Sequence, residues 1–196
     1  IKPQLVVEAN DFALKNNLYL EAATFDKLYY NLEIPEIVAK RTSMLSESDG
    51  LTDLSELAKK RKILVMRFIV TSNQDKQLVK EFQETVSDRL SFHVGYAFNQ
   101  PNVGVWNMTD IGVSKVSALR HLCQYLKIHP SETMAIGDSP IDLPLIENAG
   151  FGIAMGNANK EVKQKAKWIA PSVEDDGVAV ALEKFILQPH SDVSSE

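Results

Sequence analysis

The stretch 133–156 reads TMAIGDSPIDLPLIENAGFGIAMG, and its pattern decides the fold that the sequence predicts. Residues 133–136 form a short apolar run that suits a covered strand or a turn of helix, and the following Gly137 favours the strand. Ser139 and Pro140 then stand in the order of a helix N-cap and a first helical residue. The pattern therefore predicts a buried strand that leads through a tight turn into a helix.

The second half of this stretch predicts a return to the sheet. Gly150 stands where the helix is expected to end, and residues 151–155 have the composition of a second short strand. Asp138 follows the first strand directly and faces the start of the helix. Because open α/β sheets bind ligands at the carboxyl ends of their parallel strands, Asp138 marks the predicted position of a binding site.

The chain from Ser114 onward continues this alternation of helix and strand. The predicted helices cover 114–126, 140–148, 160–165 and 177–187, and the predicted strands cover 133–136, 151–155 and 168–170. Regular alternation of this kind is typical of a doubly wound α/β sheet with helices on both faces. Residues 188–196 are predicted to be a disordered tail.

The first half of the chain shows a different pattern. Strands and helices mix without strict alternation, which predicts an α+β layer with the helices on one sheet face. The predicted helices cover 6–16, a short stretch after Pro35, 53–60 with Asp53 as its cap, and a segment from Ser72 or Asn73 to about Val86. The predicted strands cover 18–24, 28–31, 63–71, 90–98 and 103–108, and 42–52 is a predicted loop. We place the domains at 1–105 and 106–187.

The composition excludes several classes of protein. The 196 residues are 44% apolar and 24% charged, which is ordinary for a globular chain of one or two small domains. The net charge of −5 argues against nucleic acid or an anionic membrane as the main partner. No apolar run is long enough to span a bilayer. Cys123 is the single cysteine, so a reducing compartment such as the cytoplasm is expected.

Three charged side chains are the strongest candidates for chemistry. Asp138 offers carboxylate oxygens of the kind that Mg²⁺ prefers, although a carboxylate at a helix N-terminus also bonds to backbone N–H groups. Asp142 has the spacing of a capping box with Ser139, and that role needs no metal. Lys115 begins a helix, where the macrodipole disfavours a cation. It is therefore either a solvated surface residue or the neighbour of an anion such as phosphate.

Two segments resemble the haloacid-dehalogenase-like phosphatases, and most closely their Cof-type branch with a large α/β cap. The residues GDSPIDLPL at 137–145, AG at 149–150 and AMGNA at 154–158 resemble the fourth motif of that family. The residues GVSK at 112–115 resemble its third motif, which carries a phosphate-binding lysine. The resemblance is strong over residues 106–187 and extends to the earlier residues in pattern only.

The resemblance implies a haloacid-dehalogenase-like α/β fold: the C-terminal half of a Rossmann-like parallel-sheet core together with an α+β cap. It implies Mg²⁺-assisted hydrolysis of small phosphomonoesters such as sugar phosphates. Lys115 would bind the phosphate, and Asp138 and Asp142 would serve the metal site. Ser139 and Asn157 would contact the substrate, although capping of the next helix is an equally good role for Asn157.

The sequence departs from the family at two places. The family usually has Asn where Ile141 stands, and its Asp-x-Asp nucleophile motif is not in this chain. We therefore expect the isolated chain to be inactive, and a non-catalytic binding module is the alternative function. In the family sheet the nucleophile strand lies beside the strand that matches residues 133–136. The free edge of that strand is expected to pair with a second copy or with an N-terminal fragment.

Overall fold

The structure is a computed structural model that describes residues 1–34, 37, 49–97 and 100–188. It divides into two compact units, Ile1–Val113 and Ser114–Glu196. Within the described residues, no helix combines the length and the apolar character that a bilayer span requires.

Three helices of the first unit are described in full; the second and third begin at caps that the sequence predicts, and the first has no side-chain cap. They are α1 (Pro3–Lys15), α2 (Leu54–Lys60) and α3 (Asn73–Val86). The Asp53 carboxylate accepts hydrogen bonds from the N–H groups of Ser55 and Glu56, at 2.8 and 3.3 Å. The Ser72 hydroxyl accepts one from Asp75 at 3.0 Å. Each cap satisfies N–H groups that the first turn of a helix leaves without an intrahelical partner.

The described strands of the first unit form a six-stranded sheet. They are β1 (Leu20–Ala23), β2 (Leu28–Tyr30), β3 (Gly50–Leu51), β4 (Val65–Val70), β5 (Leu90–Ala97) and β6 (Gln100–Asp110). Their order is β3-β2-β1-β4-β6-β5, and every neighbouring pair is antiparallel except β2 and β3. All three helices pack on one face of this sheet, and their core includes Val6, Leu54, Phe68, Phe82 and Met108.

One sequence-based expectation for this unit differs from the structure, and a second falls on residues that are not described. The segment 42–52 was expected to be a loop, but Gly50 and Leu51 pair with Tyr29 and Tyr30 as the short strand β3. A two-residue strand forms only because a partner strand is present, so the local sequence pattern does not predict it. The helix expected after Pro35 falls outside the described residues except for Ile37.

The boundary between the units also differs from the expected one at residues 105 and 106. Strand β6 runs through that position without a break, and Trp106 pairs with Phe68 on one side and with Val94 on the other. Trp106 and Met108 are buried in the core of the first unit. The division therefore falls after Val113.

The described part of the second unit is a parallel α/β layer. Its strands are β7 (Met134–Gly137), β8 (Phe151–Ala154) and β9 (Trp168–Ile169), in the order β7-β8-β9. Its helices are α4 (Lys115–Leu126), α5 (Leu143–Asn148), α6 (Lys160–Lys165) and α7 (Gly177–Leu182). Both strand pairs are parallel, as the helix–strand alternation predicts.

Apolar side chains pack on both faces of this sheet. On β8, Ala154 packs with Ile146 of α5 and Val162 of α6. The neighbouring Ile153 packs on the opposite face with Ala181 of α7. Because successive side chains of a strand point to opposite faces, the helices cover both faces of the sheet. The doubly wound architecture is confirmed.

Two of the predicted helices are irregular. The segment 140–148 is a 3₁₀ turn, Pro140–Asp142, followed by α5. Pro144 has no N–H group to donate to residue 140, which favours the tighter first turn. The segment 177–187 ends in a π-helical turn, Glu183–Leu187, after α7. The predicted tail lies outside the described residues from 189 onward.

A substitution at Gly152 tests how closely α5 packs against β8. A Cβ atom added at Gly152 would lie 2.3 Å from the carbonyl oxygen of Ile146. Gly152→Ala is therefore expected to destabilise the second unit by about 1–3 kcal/mol, the usual cost of overpacking. Gly95→Ala is the matched control, because a Cβ atom there has no neighbour within 4 Å. Thermal unfolding of both variants checks this, and equal stabilities would contradict the close contact.

Candidate active site

The candidate site begins where β7 ends. Gly137 is the last residue of β7, and Asp138 follows it on the surface. Ser139 then caps a 3₁₀ turn whose first residue is Pro140. The Asp142 carboxylate accepts hydrogen bonds from the N–H group of Ser139 at 3.2 Å and from its hydroxyl at 2.8 Å. The capping role that the sequence left open for Asp142 is therefore present in the structure.

Asp142 is the centre of the site. Its side chain is buried, and its Oδ2 atom also accepts from the N–H group of Asp138 at 3.3 Å. Its Oδ1 atom accepts from the ammonium of Lys115. Gly137 makes this approach possible, because a Cβ atom there would lie 2.4 Å from the Cβ atom of Asp142. Both carboxylate oxygens are thus held by protein groups.

The environment of Asp142 favours its charged form. Burial raises the pKa of the Asp142 carboxyl. The Lys115 ammonium, the Ser139 hydroxyl and the N–H groups of Ser139 and Asp138 outweigh that effect and hold the pKa below its ordinary value. A carboxylate that accepts several hydrogen bonds keeps its charge at lower pH. The site therefore contains a permanent anion at neutral pH.

Lys115 is brought to the site by the start of α4. Ser114 caps this helix by accepting from the N–H group of Ser117 at 3.0 Å, and the Ser117 hydroxyl bonds back to Ser114. Lys115 is the first helical residue, where the macrodipole disfavours its charge. The ion pair with Asp142 offsets this cost and directs the half-exposed side chain. A solvated surface lysine, the alternative role, would have no such partner.

Asp138 is the carboxylate that remains available. It is exposed, and no side chain of the described residues bonds to its carboxylate. A free carboxylate at the carboxyl end of a parallel strand suits a hard cation such as Mg²⁺, whose remaining ligands are commonly water or phosphate oxygens. No three His, Cys, Asp or Glu residues come together as a ready ligand set in the part of the chain that the structure describes. The donors present fit one protein ligand of a hydrated Mg²⁺ ion.

Other residues of the motif have structural partners. Asn159 caps α6 by accepting from the N–H group of Val162 at 3.0 Å. Asn157 does not cap that helix; its carboxamide oxygen accepts from the N–H group of Val173 at 3.1 Å. Ile141 is 48% exposed. The roles of Asn157 and Ser139 toward a substrate stay predictions.

The pairing of Lys115 with Asp142 was missed from the sequence. The two residues are 27 positions apart, and the sequence patterns around them do not assign either one as the partner of the other. The signal was nevertheless present, because a lysine at a helix start needs a nearby anion. Asp142 was available for that role at the beginning of the next helical segment.

Asp142→Asn tests the charge at the centre of the site. The folded-state pKa lies below the unfolded value of about 3.9, so the carboxylate stabilises the fold fully above that pH. The stabilisation is lost as the pH falls through the folded-state pKa. The substitution should lower the free energy of unfolding by about 1–3 kcal/mol at neutral pH, and the deficit should shrink in acid.

Chemical denaturation at neutral pH and at an acidic pH well below the ordinary pKa of an aspartate measures the two differences. Asp138→Asn is the control, because the exposed Asp138 carboxylate has no partner among the described side chains. An equal loss at both pH values in Asp142→Asn would show that the charge of Asp142 does not stabilise the fold.

Part of this chain is similar in sequence to known proteins. The phosphoglycolate phosphatase of Methanothermobacter thermautotrophicus is 39% identical over 80 residues, which are 41% of this chain and 36% of that protein. Stress response protein YhaX of Bacillus subtilis is 40% identical over 79 residues, which are 40% of this chain and 27% of that protein. The chain thus spans about a third of the length of these curated relatives.

A solved structure and a family match extend over more of the chain. The crystal structure of TM0651 from Thermotoga maritima has a TM-score of 0.79 and 24% sequence identity, and the match covers 100% of this chain and 68% of that one. This likeness shows a shared fold. Residues 1–182 match the family of haloacid dehalogenase-like hydrolases. Since the family match includes almost the whole sequence, the chain belongs to the haloacid dehalogenase-like hydrolases.

Proposed function

We propose that this chain is part of a Mg²⁺-dependent phosphatase that acts on small phosphomonoesters such as sugar phosphates. The observation that carries the proposal is the pairing of Lys115 with a buried, ionised Asp142 beside the free carboxylate of Asp138. A cation and a metal-binding carboxylate at one sheet edge suit a phosphate group. The phosphoglycolate phosphatase of M. thermautotrophicus matches part of the chain and supports this reaction class.

Each residue of the site has a defined part in the proposal. Lys115 binds a phosphate oxygen and offsets the negative charge of the transferring group. Asp142 acts as a positioning residue, because it holds the Lys115 ammonium and the backbone N–H group of Asp138. Asp138 ligates Mg²⁺, which polarises the phosphoryl group when it is bound. Asp142 serves the metal site through these bonds, and Ser139 and Asn157 are proposed to contact the substrate.

The phosphoryl acceptor is not supplied by these 196 residues. No Asp-x-Asp motif occurs in the sequence, and the family mechanism transfers the phosphoryl group to such an Asp. The chain by itself is therefore proposed to be inactive. The lone Cys123 is buried and reduced, which suits the cytoplasmic location that we propose.

A non-catalytic binding module is the second candidate function. The exposed Ile141 favours it, because an apolar side chain stands where the family usually has a hydrogen-bonding Asn. An isoleucine cannot replace the bonds of an amide. A module of this kind would still bind phosphate through Lys115 without turning it over.

Hydrolysis of an aryl phosphate separates the two functions. In Mg²⁺ buffer, the 196-residue chain is expected to release no phosphate. Activity is expected once an Asp-x-Asp segment is supplied, either by the gene's upstream sequence or as a separate polypeptide. Lys115→Ala should then lower kcat by about 10²–10³-fold, the usual effect of removing one group that stabilises developing charge.

Lys160→Ala is the matched control, since Lys160 is also an exposed first residue of a capped helix. Turnover by the 196-residue chain that vanishes in Lys115→Ala would show that the acceptor lies within it. If the completed protein binds phosphate esters without turnover, the binding module is the correct function.

The edge of β7 that faces away from β8 also supports the proposal that a further segment pairs with the sheet of the second unit. The carbonyl oxygens of Thr133 and Gly137 accept from Phe151 and Met155 along β8. Because backbone groups alternate in direction along a strand, those of Met134 and Ile136 point to the other side of β7. No strand of the described second unit pairs with them there.

Helix α4 of the same unit also has apolar side chains that the described residues leave exposed. It packs on α5, and Cys123 is its only fully buried residue. Leu122, Tyr125 and Leu126 are all more than half exposed. We propose that a strand from a second copy or from an N-terminal fragment pairs with β7.

Hydrogen exchange tests the edge of β7. If a strand pairs there, the amides of Met134 and Ile136 should exchange slowly, and light scattering should show a dimer that dissociates on dilution. Addition of an N-terminal fragment should slow the same amides further when it replaces the second copy. A concentration-independent monomer with fast exchange at both amides contradicts the proposal.

A further inference from the structure

An aromatic side chain stands in water at the turn that joins β1 to β2. Phe25 of this turn is 95% exposed. The turn itself is fixed by short-range bonds, because the N–H group of Thr24 donates to the carbonyl oxygen of Lys27 at 2.8 Å. The Thr24 hydroxyl also donates to the Asp26 carboxylate at 3.0 Å. The fold therefore presents the Phe25 ring to the solvent on a fixed turn.

Ion pairs from two other segments hold the same turn. The guanidinium of Arg61, which follows α2, bonds to the Asp26 carboxylate. The Lys27 ammonium lies 3.2 Å from the Asp49 carboxylate, which also accepts from the first N–H group of β2 at 2.8 Å. The charged groups beside Phe25 are thus matched within the chain, whereas its ring is left in water.

A cavity of about 300 Å³ lies beside this turn. Its lining includes the apolar residues Pro3, Ala58 and Ile63 and the basic residues Lys59, Lys60, Arg61 and Lys62. Arg61 connects the lining to the turn through its bond to Asp26. The chain directly after the lining is also tied to β1, because the N–H group of Leu64 donates to the carbonyl oxygen of Ala23 at 2.8 Å. The cavity and the exposed ring are therefore neighbours on one surface of the first unit.

The size and the charge of the cavity suit an aromatic ring. A protein cavity of about 150 Å³ is already enough to bind benzene. The four consecutive basic residues 59–62 surround the cavity with cations, which are attracted to the face of an aromatic ring. They also favour an occupant whose own surroundings are acidic. The turn of Phe25 meets this condition, since Asp26, Lys27 and Asp49 together carry one net negative charge.

We propose that two copies of this chain associate by inserting Phe25 of each copy into the cavity of the other. A ring and a matching cavity on one surface are self-complementary, because a two-fold axis between them makes both contacts at once. The ring then packs against Ala58 and Ile63, and the basic residues around the cavity meet the acidic side of the other copy's turn. The proposal is independent of the phosphatase function and of the pairing at the edge of β7.

Nuclear magnetic resonance of the full 196-residue chain follows this contact residue by residue. As the protein concentration rises, the backbone amide signals of residues 24–26 and 58–63 are expected to shift together. In a mixture of isotope-labelled and unlabelled copies, nuclear Overhauser effects are expected between the Phe25 ring of one copy and the Ala58 methyl group of the other. The amides of Met134 and Ile136 report separately on the edge of β7. Signals at 24–26 and 58–63 that do not depend on concentration overturn the proposal.

Removal of the ring tests its contribution. Phe25→Ala should weaken the association at least about 100-fold, because it removes two rings and the burial of each contributes at least about tenfold. Leu51→Ala is the control, since Leu51 is another exposed apolar residue of the same unit. It should leave the association unchanged. An unchanged concentration dependence at residues 58–63 in Phe25→Ala overturns the proposal.

A mixture of two variants tests the exchange of rings between copies. Pro3→Trp places a large side chain at an exposed position of the lining, so that it blocks the cavity and keeps Phe25. Each variant alone should associate weakly. A mixture of Pro3→Trp with Phe25→Ala restores one of the two contacts, so the mixture should associate more strongly than either variant alone. A mixture that associates no better than the separate variants contradicts the proposed exchange.

Discussion

A buried carboxylate must be matched by donors, and the second unit is arranged around this requirement at Asp142. The donors come from three places: the start of α4, the residue that follows β7, and the cap of the 3₁₀ turn. Removing one donor from such a group would leave an expensive unsatisfied charge. The carboxylate therefore couples the position of Lys115 to the end of the sheet. This coupling keeps a cation beside the exposed Asp138.

The two units use their sheets differently. In the second unit, β8 is covered by apolar side chains on both faces, so polar groups are left to the ends of its strands. In the first unit, α1, α2 and α3 cover a single face, and the other face can hold polar residues in mid-strand. An antiparallel sheet tolerates this because one of its faces can meet water or a ligand. The position of the polar residues in each unit thus follows from the way its sheet is covered.

Much of the fold could be predicted because its signals are local. Asp53, Ser72, Ser114 and Ser139 mark helix starts by residue type, and the structure has a helix or turn directly after each of them. The alternation of helices and strands after Ser114 identified the parallel layer. Features that depend on distant residues were not accessible in this way.

Those features include the strand β3, the ion pair of Lys115 with Asp142, and the alignment of Arg67 on β4 with Asn107 on β6. The alignment depends on strand register, which side-chain patterns along one strand do not fix. In the candidate site, the position of Asp138 was predictable from one strand and one turn. The partner of Lys115 required the packing of two helical segments that are separated by β7.

The close packing at Gly137 and Gly152 limits how this motif can vary during evolution. At both positions one extra carbon atom would meet an atom of Asp142 or Ile146 within 2.4 Å. A larger side chain at either position would push these atoms apart, whatever its effect on ligands. Ile141 lies between them in the chain and is 48% exposed, so it can change without disturbing the sheet. The same scaffold can therefore acquire new ligand preferences, or lose its chemistry, through one exposed position of its turn.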